Sequence, residues 1–245
     1  MITNSAYDSH EFEEESNIPA FIRLKEAGQR TDLTKSSSTL VIGVAGAGMS
    51  YVEHLMHRPV NSVDCILVDS EQPHSTAIER ANRNARQFQS GAIVSRLTLS
   101  DNSSSTAWSE LVDEIKRHHI AVINVGLGGY SGSTLTPMIA QTVKHEGLQP
   151  IIHCSIPSQV EGSERRRRAQ SVISELSQMG CYTLQHDNEM LSGYAEFTPE
   201  NGNSFEVVHQ LFDEELQLLA PLAAAATSPI NYRQVKAARD KSMHH

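Results

Sequence analysis

Apolar positions in this chain fall into short continuous runs, and longer segments with helical spacing lie between them. Runs at residues 40–44, 63–68, 121–125, 150–155 and 181–185 read as strands without period-two alternation. Helical spacing covers 51–57, 76–88, 107–118, 134–146 and 163–178. A long helix is expected from about 205 to 225, broken early or capped around Pro221, with a short helix at 234–241 after it. Apolar strands alternating with helices predict an α/β fold, a Rossmann-like parallel sheet with helices on both faces. No internal repeat is visible.

The ends read differently. Residues 1–16 are polar and acidic, ending in Glu11-Phe12-Glu13-Glu14-Glu15, and are expected to be disordered. A short apolar island follows at 17–25, then a polar linker. The expected division is a tail at 1–38, a folded domain at 39–226 and a C-terminal segment at 227–245.

Composition narrows the function. The 245 residues carry a formal charge of -9, which disfavours a bulk nucleic-acid binder. A local anion site stays open, because backbone N–H groups hold phosphate without net charge. Cys65, Cys154 and Cys181 lack metal-like spacing and each sits in or beside an apolar run, so they are expected to be buried reduced thiols. No apolar run reaches the roughly 18–20 residues of a membrane span, and no signal-peptide core is present, so the expected location is cytoplasmic.

Two glycine-rich loops carry the candidate chemistry. Val41-Ile42-Gly43-Val44-Ala45-Gly46-Ala47-Gly48 joins the first strand to the first helix. Small residues there admit close approach of a phosphate, and the helix amino end adds partial positive charge. As a dinucleotide fingerprint it pairs with Asp69, roughly 21 residues after Gly48. The second loop, Gly126-Leu127-Gly128-Gly129-Tyr130-Ser131-Gly132-Ser133, again ends an apolar strand and opens a helix. A NAD-binding oxidoreductase explains the first loop and leaves the second unexplained.

Gly128-Gly129-Tyr130-Ser131-Gly132-Ser133 resembles the Gly-Gly-Gly-Thr-Gly-[Ser/Thr] signature of the FtsZ/tubulin family, with Tyr130 in place of a glycine. The resemblance runs in order over roughly residues 39–195. Residues 43–50 are similar to the first family loop, with Met49 where a glycine is usual, and Val68-Asp69-Ser70 looks like the second. Pro157-Ser158-Gln159-Val160-Glu161-Gly162-Ser163-Glu164-Arg165 looks like the ribose loop.

The resemblance implies GTP or GDP as ligand, with magnesium admitted beside the phosphates and no metal site of the protein's own. Backbone N–H groups and the Ser131 and Ser133 hydroxyls would hold the β- and γ-phosphates. Glu161 would take the ribose hydroxyls, and Arg165 would approach the phosphates or the base. Asp187-Asn188 inverts the family's Asn-Asp pair. Phe205 stands near the ring that stacks on guanine, and Gln210 or a neighbour near the base edge. Simpler readings stay beside these: Glu161 and Arg165 as a solvated helix start, Arg165–168 as a solvated basic turn, Phe205 as core.

The departures concern catalysis. Residues 99–105 lack the glycine pattern of the third family loop. The activating loop, Asn-x-Asp-x-x-Asp in the family, stands here as Asn231-Tyr232-Arg233-Gln234-Val235-Lys236, with bases at both acid positions. No carboxylate there orients a water, so hydrolysis is expected to be weak or absent. The family's second domain is expected to be missing. Residues 17–25, Asn-Ile-Pro-Ala-Phe-Ile-Arg-Leu-Lys, resemble the C-terminal tail peptide of FtsZ. That implies docking to FtsZ-tail-binding division proteins or association with FtsZ itself, beside the plain alternative of a helix on the domain's own surface. Self-association is a further expectation. A nucleotide-free scaffold with remnant loops is the remaining alternative.

Overall fold

The computed structural model describes residues 39–56, 63–70, 94–99, 106–191, 204–226 and 228–242, all within the unit Thr34–His245. The tail-like peptide at 17–25, the helix expected at 76–88 and most of the 99–105 loop lie outside the described residues.

Six strands form one sheet: β1 (Thr39–Val44), β2 (Val63–Ser70), β3 (Val94–Leu99), β4 (Ile120–Gly126), β5 (Pro150–Ile156) and β6 (Tyr182–Asp187). Their order is β3-β2-β1-β4-β5-β6, and every pairing is parallel. All positions of β1 and β5 are buried, which is why the sequence shows apolar runs and no alternation. The strand β3 was not anticipated.

The helices are α1 (Ala45–Met56), α2 (Thr106–Lys116), α3 (Tyr130–His145), α4 (Ser163–Gln178), α5 (Asn188–Leu191), α6 (Ser204–Ala225) and α7 (Tyr232–Ser242). On one face Trp108 and Leu111 of α2, Leu135 and Ile139 of α3, and Ala169 and Leu176 of α4 pack on Ile42, Ile123 and Ile152. On the other, Tyr51 and Val52 of α1, Phe212 and Leu216 of α6, and Val235 of α7 pack on Val41, Val122 and Leu184. Cys65, Cys154 and Cys181 are buried free thiols, and burial pushes Cys65 and Cys154 up to about 12. This agrees with the reading of inert core cysteines.

Three boundaries differ from expectation. Helices α1 and α3 begin at Ala45 and Tyr130, so much of each glycine loop is the first turn of its helix. Helix α6 runs through Pro221 to Ala225, losing one hydrogen bond near its end and not its course. Gly48 explains how α1 lies so near the sheet: a Cβ there would stand 2.0 Å from the Asn124 carbonyl oxygen of β4.

Candidate functional site

Strands β1 and β4 are neighbours, yet the chain leaves β1 toward β2 on one side and continues from β4 toward β5 on the other. Ligands of open α/β sheets bind at such a switch point, beyond the carboxyl ends of the strands. Both glycine loops lie there, and α1 and α3 start there side by side. Neither helix has an acidic residue in its first turn, and the α3 N-cap, Gly129, makes no side-chain capping bond. Two helix amino ends, neither with an acid in its own first turn, therefore meet at one place.

The glycines divide into two kinds. A Cβ on Gly43 would stand 2.5 Å from the Gly48 carbonyl oxygen, and one on Gly132 would stand 2.6 Å from that of Gly126. These serve close packing, as does Gly48. Gly126 carries the contact between the loops, since a Cβ there would come within 2.7 Å of the Ala47 Cβ. Among the described residues nothing lies within 4 Å of a Cβ added at Gly46 or Gly129, so the site is open at these two. Ala45 takes a left-handed φ of 55°, an unusual conformation for a residue with a Cβ, where β1 turns into α1.

Hydroxyls and backbone order the cradle. The Ser70 and Ser131 hydroxyls are 2.7 Å apart and hydrogen-bonded. Asp69 is buried, and its Oδ1 accepts the Ser70 N–H at 2.8 Å. The Gly128 N–H donates to Ser133 Oγ at 3.0 Å, so that hydroxyl already braces its own loop. Tyr130, which stands where the FtsZ/tubulin signature has a glycine, is 52 % exposed.

The residues expected at the ribose and base gather beside the second loop. Glu161 Oε1 accepts the Ser158 N–H and the Asn188 amide, each at 3.0 Å, and Arg165 lies 3.6 Å from Glu161 Oε2. Asp187 takes a two-pronged contact from Arg166, at 2.9 and 2.5 Å, which holds its carboxyl below the usual range. Arg166 also donates to the Pro157 carbonyl at 2.7 Å, and Arg168 donates to the Gly128 carbonyl at 3.0 Å. The reading of Arg165–168 as a solvated turn is therefore corrected at Arg166 and Arg168; Arg167 is exposed and pairs with Glu164. Phe205 lies in the first turn of α6, and its side chain is outside the described residues.

The segment at 231–236 is not an open loop. Asn231 and Gln234 exchange backbone-to-side-chain hydrogen bonds of 3.1 and 2.9 Å, a reciprocal cap on α7. Arg233 and Lys236 are exposed on its first two turns. The Ile230 N–H donates to the His119 carbonyl at 3.3 Å, just before β4. These bases thus belong to the amino end of the sheet, opposite the glycine loops. Among the described residues no cluster of His, Cys, Asp and Glu is suited to a metal, and no helix is long and apolar enough to cross a membrane.

Sheet order and the switch point define a Rossmann-like parallel α/β protein. No protein-family model matches the chain. Cell division protein FtsZ of Helicobacter pylori (strain ATCC 700392 / 26695) is 24 % identical over 204 residues, covering 80 % of this chain and 51 % of that protein. FtsZ 2 of Methanocaldococcus jannaschii is 20 % identical over 229 residues, 87 % of this chain and 59 % of that one. An empty FtsZ dimer from M. jannaschii superposes with a TM-score of 0.59 at 20 % identity, over 90 % of this chain and 64 % of that chain. A GTPγS-bound protofilament of CetZ2 from Haloferax volcanii gives a TM-score of 0.54 at 17 % identity, over 76 % and 58 %. Over most of its length the chain is similar to FtsZ and has the fold of the FtsZ/tubulin nucleotide-binding domain. The chain spans about half the length of the H. pylori relative.

Proposed function

We propose that this protein binds GTP or GDP at the switch point, its phosphates held by the first turns of α1 and α3. The observation that carries the reading is the pair of helix amino ends with no acid in either first turn. The CetZ2 relative is described with GTPγS bound, which supports guanine over other bases. Ser131 faces the phosphates. Glu161 takes the ribose hydroxyls, Arg165 approaches the phosphates or the base, and Asp187, Asn188 and the start of α6 at Phe205 lie at the base end. Magnesium accompanies the phosphates near Asp69. The NAD reading accounts for one loop of the two and is not favoured.

The protein acts on the division cytoskeleton as an adaptor, filament cap or modulator in the cytoplasm, binding nucleotide with little or no turnover. The absence of acids at Arg233 and Lys236 supports this. Their place at the end of the sheet opposite the nucleotide suits head-to-tail association, in which one subunit's bases meet the next one's phosphates. Relatives described as a dimer and as a protofilament support self-association. Residues 17–25 dock to partners that recognise the FtsZ tail. Equilibrium titration with GTP, GDP and NAD tests the ligand, and a phosphate-release assay tests the lack of turnover.

A further inference from the structure

Resting on the guanine-nucleotide reading above, we infer that Arg168 of α4 is a positioning residue: by holding the Gly128 carbonyl it fixes the Gly128–Gly129 peptide with its N–H aimed at the phosphate site.

The argument begins with the freedom of this peptide. Two successive glycines have no Cβ to bias their rotation, and a Gly–Gly peptide turns over at little steric cost. Gly128 has φ +92°, so its native orientation is one of several open to it. A phosphate cradle needs one of them, because an inverted peptide would present a carbonyl oxygen to an anion.

Arg168 supplies the choice. Its Nη1 donates to the Gly128 carbonyl oxygen at 3.0 Å from the α4 side of the loop. The peptide is trans, so its carbonyl and the following N–H point in opposite directions. Holding the oxygen toward α4 therefore turns the Gly129 N–H away from α4, toward the β1 side of the switch point. Gly129 is the N-cap of α3 and makes no side-chain capping bond, and it is one of the two loop glycines where the site is open.

The platform beneath the lock is rigid. The Gly128 N–H is held by Ser133 Oγ at 3.0 Å, and the Leu127 N–H by the Ser155 carbonyl at 3.0 Å. A Cβ on Gly128 would meet Pro157 Cγ at 2.6 Å and the Arg165 carbonyl oxygen at 2.7 Å, so the loop sits directly on the start of α4. Pro157 is tied in turn through Arg166 to Asp187 at the end of β6. One peptide orientation is left to be decided, and Arg168 decides it.

The test uses the full chain and three variants: Arg168→Ala, Arg168→Lys and, as control, Arg167→Ala, which removes an exposed charge paired with Glu164. In nucleotide-free protein, Arg168→Ala should shift or broaden the Gly128 and Gly129 amide resonances in a ¹⁵N–¹H spectrum, and Arg167→Ala should leave them in place. GTP affinity should fall about tenfold in Arg168→Ala, recover in part in Arg168→Lys, and stay within about twofold in Arg167→Ala. Unchanged glycine amides in Arg168→Ala, or equal affinity losses at 167 and 168, would overturn the inference. If the wild-type chain binds no guanine nucleotide, the functional reading fails, and the amide comparison still decides whether Arg168 sets the peptide.

Discussion

Ser70 closes β2 and Ser131 lies in the first turn of α3, and their hydroxyls share a hydrogen bond of 2.7 Å. β1 lies between β2 and β4 in the sheet, so this bond bridges the end of β1, above which α1 begins. It joins the second strand-end loop to the glycine-serine loop and orients the Ser131 oxygen before any ligand arrives. Preorganisation of this kind lowers the ordering cost of binding.

The two kinds of glycine predict opposite outcomes. Gly129 has φ -75° and ψ 164°, a conformation open to any residue, and space around it. Gly129→Asp adds an N-cap carboxylate that satisfies first-turn N–H groups, so stability should hold or rise by a few tenths of a kcal/mol. The same carboxylate occupies the anion site, so GTP affinity should fall more than about tenfold. Gly132→Val forces a Cβ to within 2.6 Å of a backbone oxygen and should cost about 1–3 kcal/mol of stability. Calorimetry and titration of the two variants check both signs.

Acid should destabilise the domain through imidazoles under α6. His153 of β5 is fully buried, stacked on Phe212 at 5.1 Å, with neither ring nitrogen hydrogen-bonded. Burial, with His186 and Arg239 nearby, pushes it down to about 3; burial and His54 push His209 down to about 4, against an opposing pull from Asp213. Folded-state values below the ordinary 6.5 mean that the unfolded chain takes up protons first. Stability is whole above pH 6.5 and is lost as pH falls toward 4 for His209 and 3 for His153, by at most about 1.4 kcal/mol per pH unit for each proton. Thermal midpoints measured from pH 7.5 to 4.5 should decline, and the decline should be shallower in His153→Leu.

The parallel sheet and the place of both glycine loops at strand ends were legible in the sequence because each rests on local pattern. Fully buried parallel strands leave continuous apolar runs, and a helix start at a strand end needs small residues. What tertiary contact decides was not legible. Arg166 and Arg168 read as solvated because four adjacent basics give no sign of which faces the loop; only the packing of α4 beside Gly128 shows it. Asn231 read as a remnant of an activating loop; its spacing to Gln234 is also that of a reciprocal helix cap, a signal present in the sequence and passed over. β3 was missed because its run is short and interrupted by Ser95 and Arg96.

Isolated protein should release phosphate from GTP very slowly or not at all. No acid stands at the positions of Arg233 and Lys236, and both side chains are exposed on α7. A base near the phosphates stabilises negative charge without activating water. Mixing with a complete FtsZ should restore turnover at shared contacts. Turnover by this chain alone at an FtsZ-like rate, persisting in an Arg233→Ala, Lys236→Ala double variant, contradicts this reading of the segment.

Residues 17–25 should carry affinity for proteins that bind the FtsZ tail. Phe21 is the aromatic anchor of that peptide, and Phe21→Ala should weaken the complex by about 2 kcal/mol. Deleting residues 1–30 should abolish it. Affinity unchanged by the deletion, for every tail-binding protein tried, assigns the peptide another role.

The most direct measurement is equilibrium titration of the purified protein with GTP, GDP and NAD, by calorimetry or a fluorescent analogue. Saturable one-to-one binding of GTP and GDP, lost in Gly129→Asp and absent for NAD, is the predicted result. NAD binding in place of guanine nucleotide, or GTP affinity undiminished by Gly129→Asp, contradicts the assignment of the switch point as a guanine-nucleotide site.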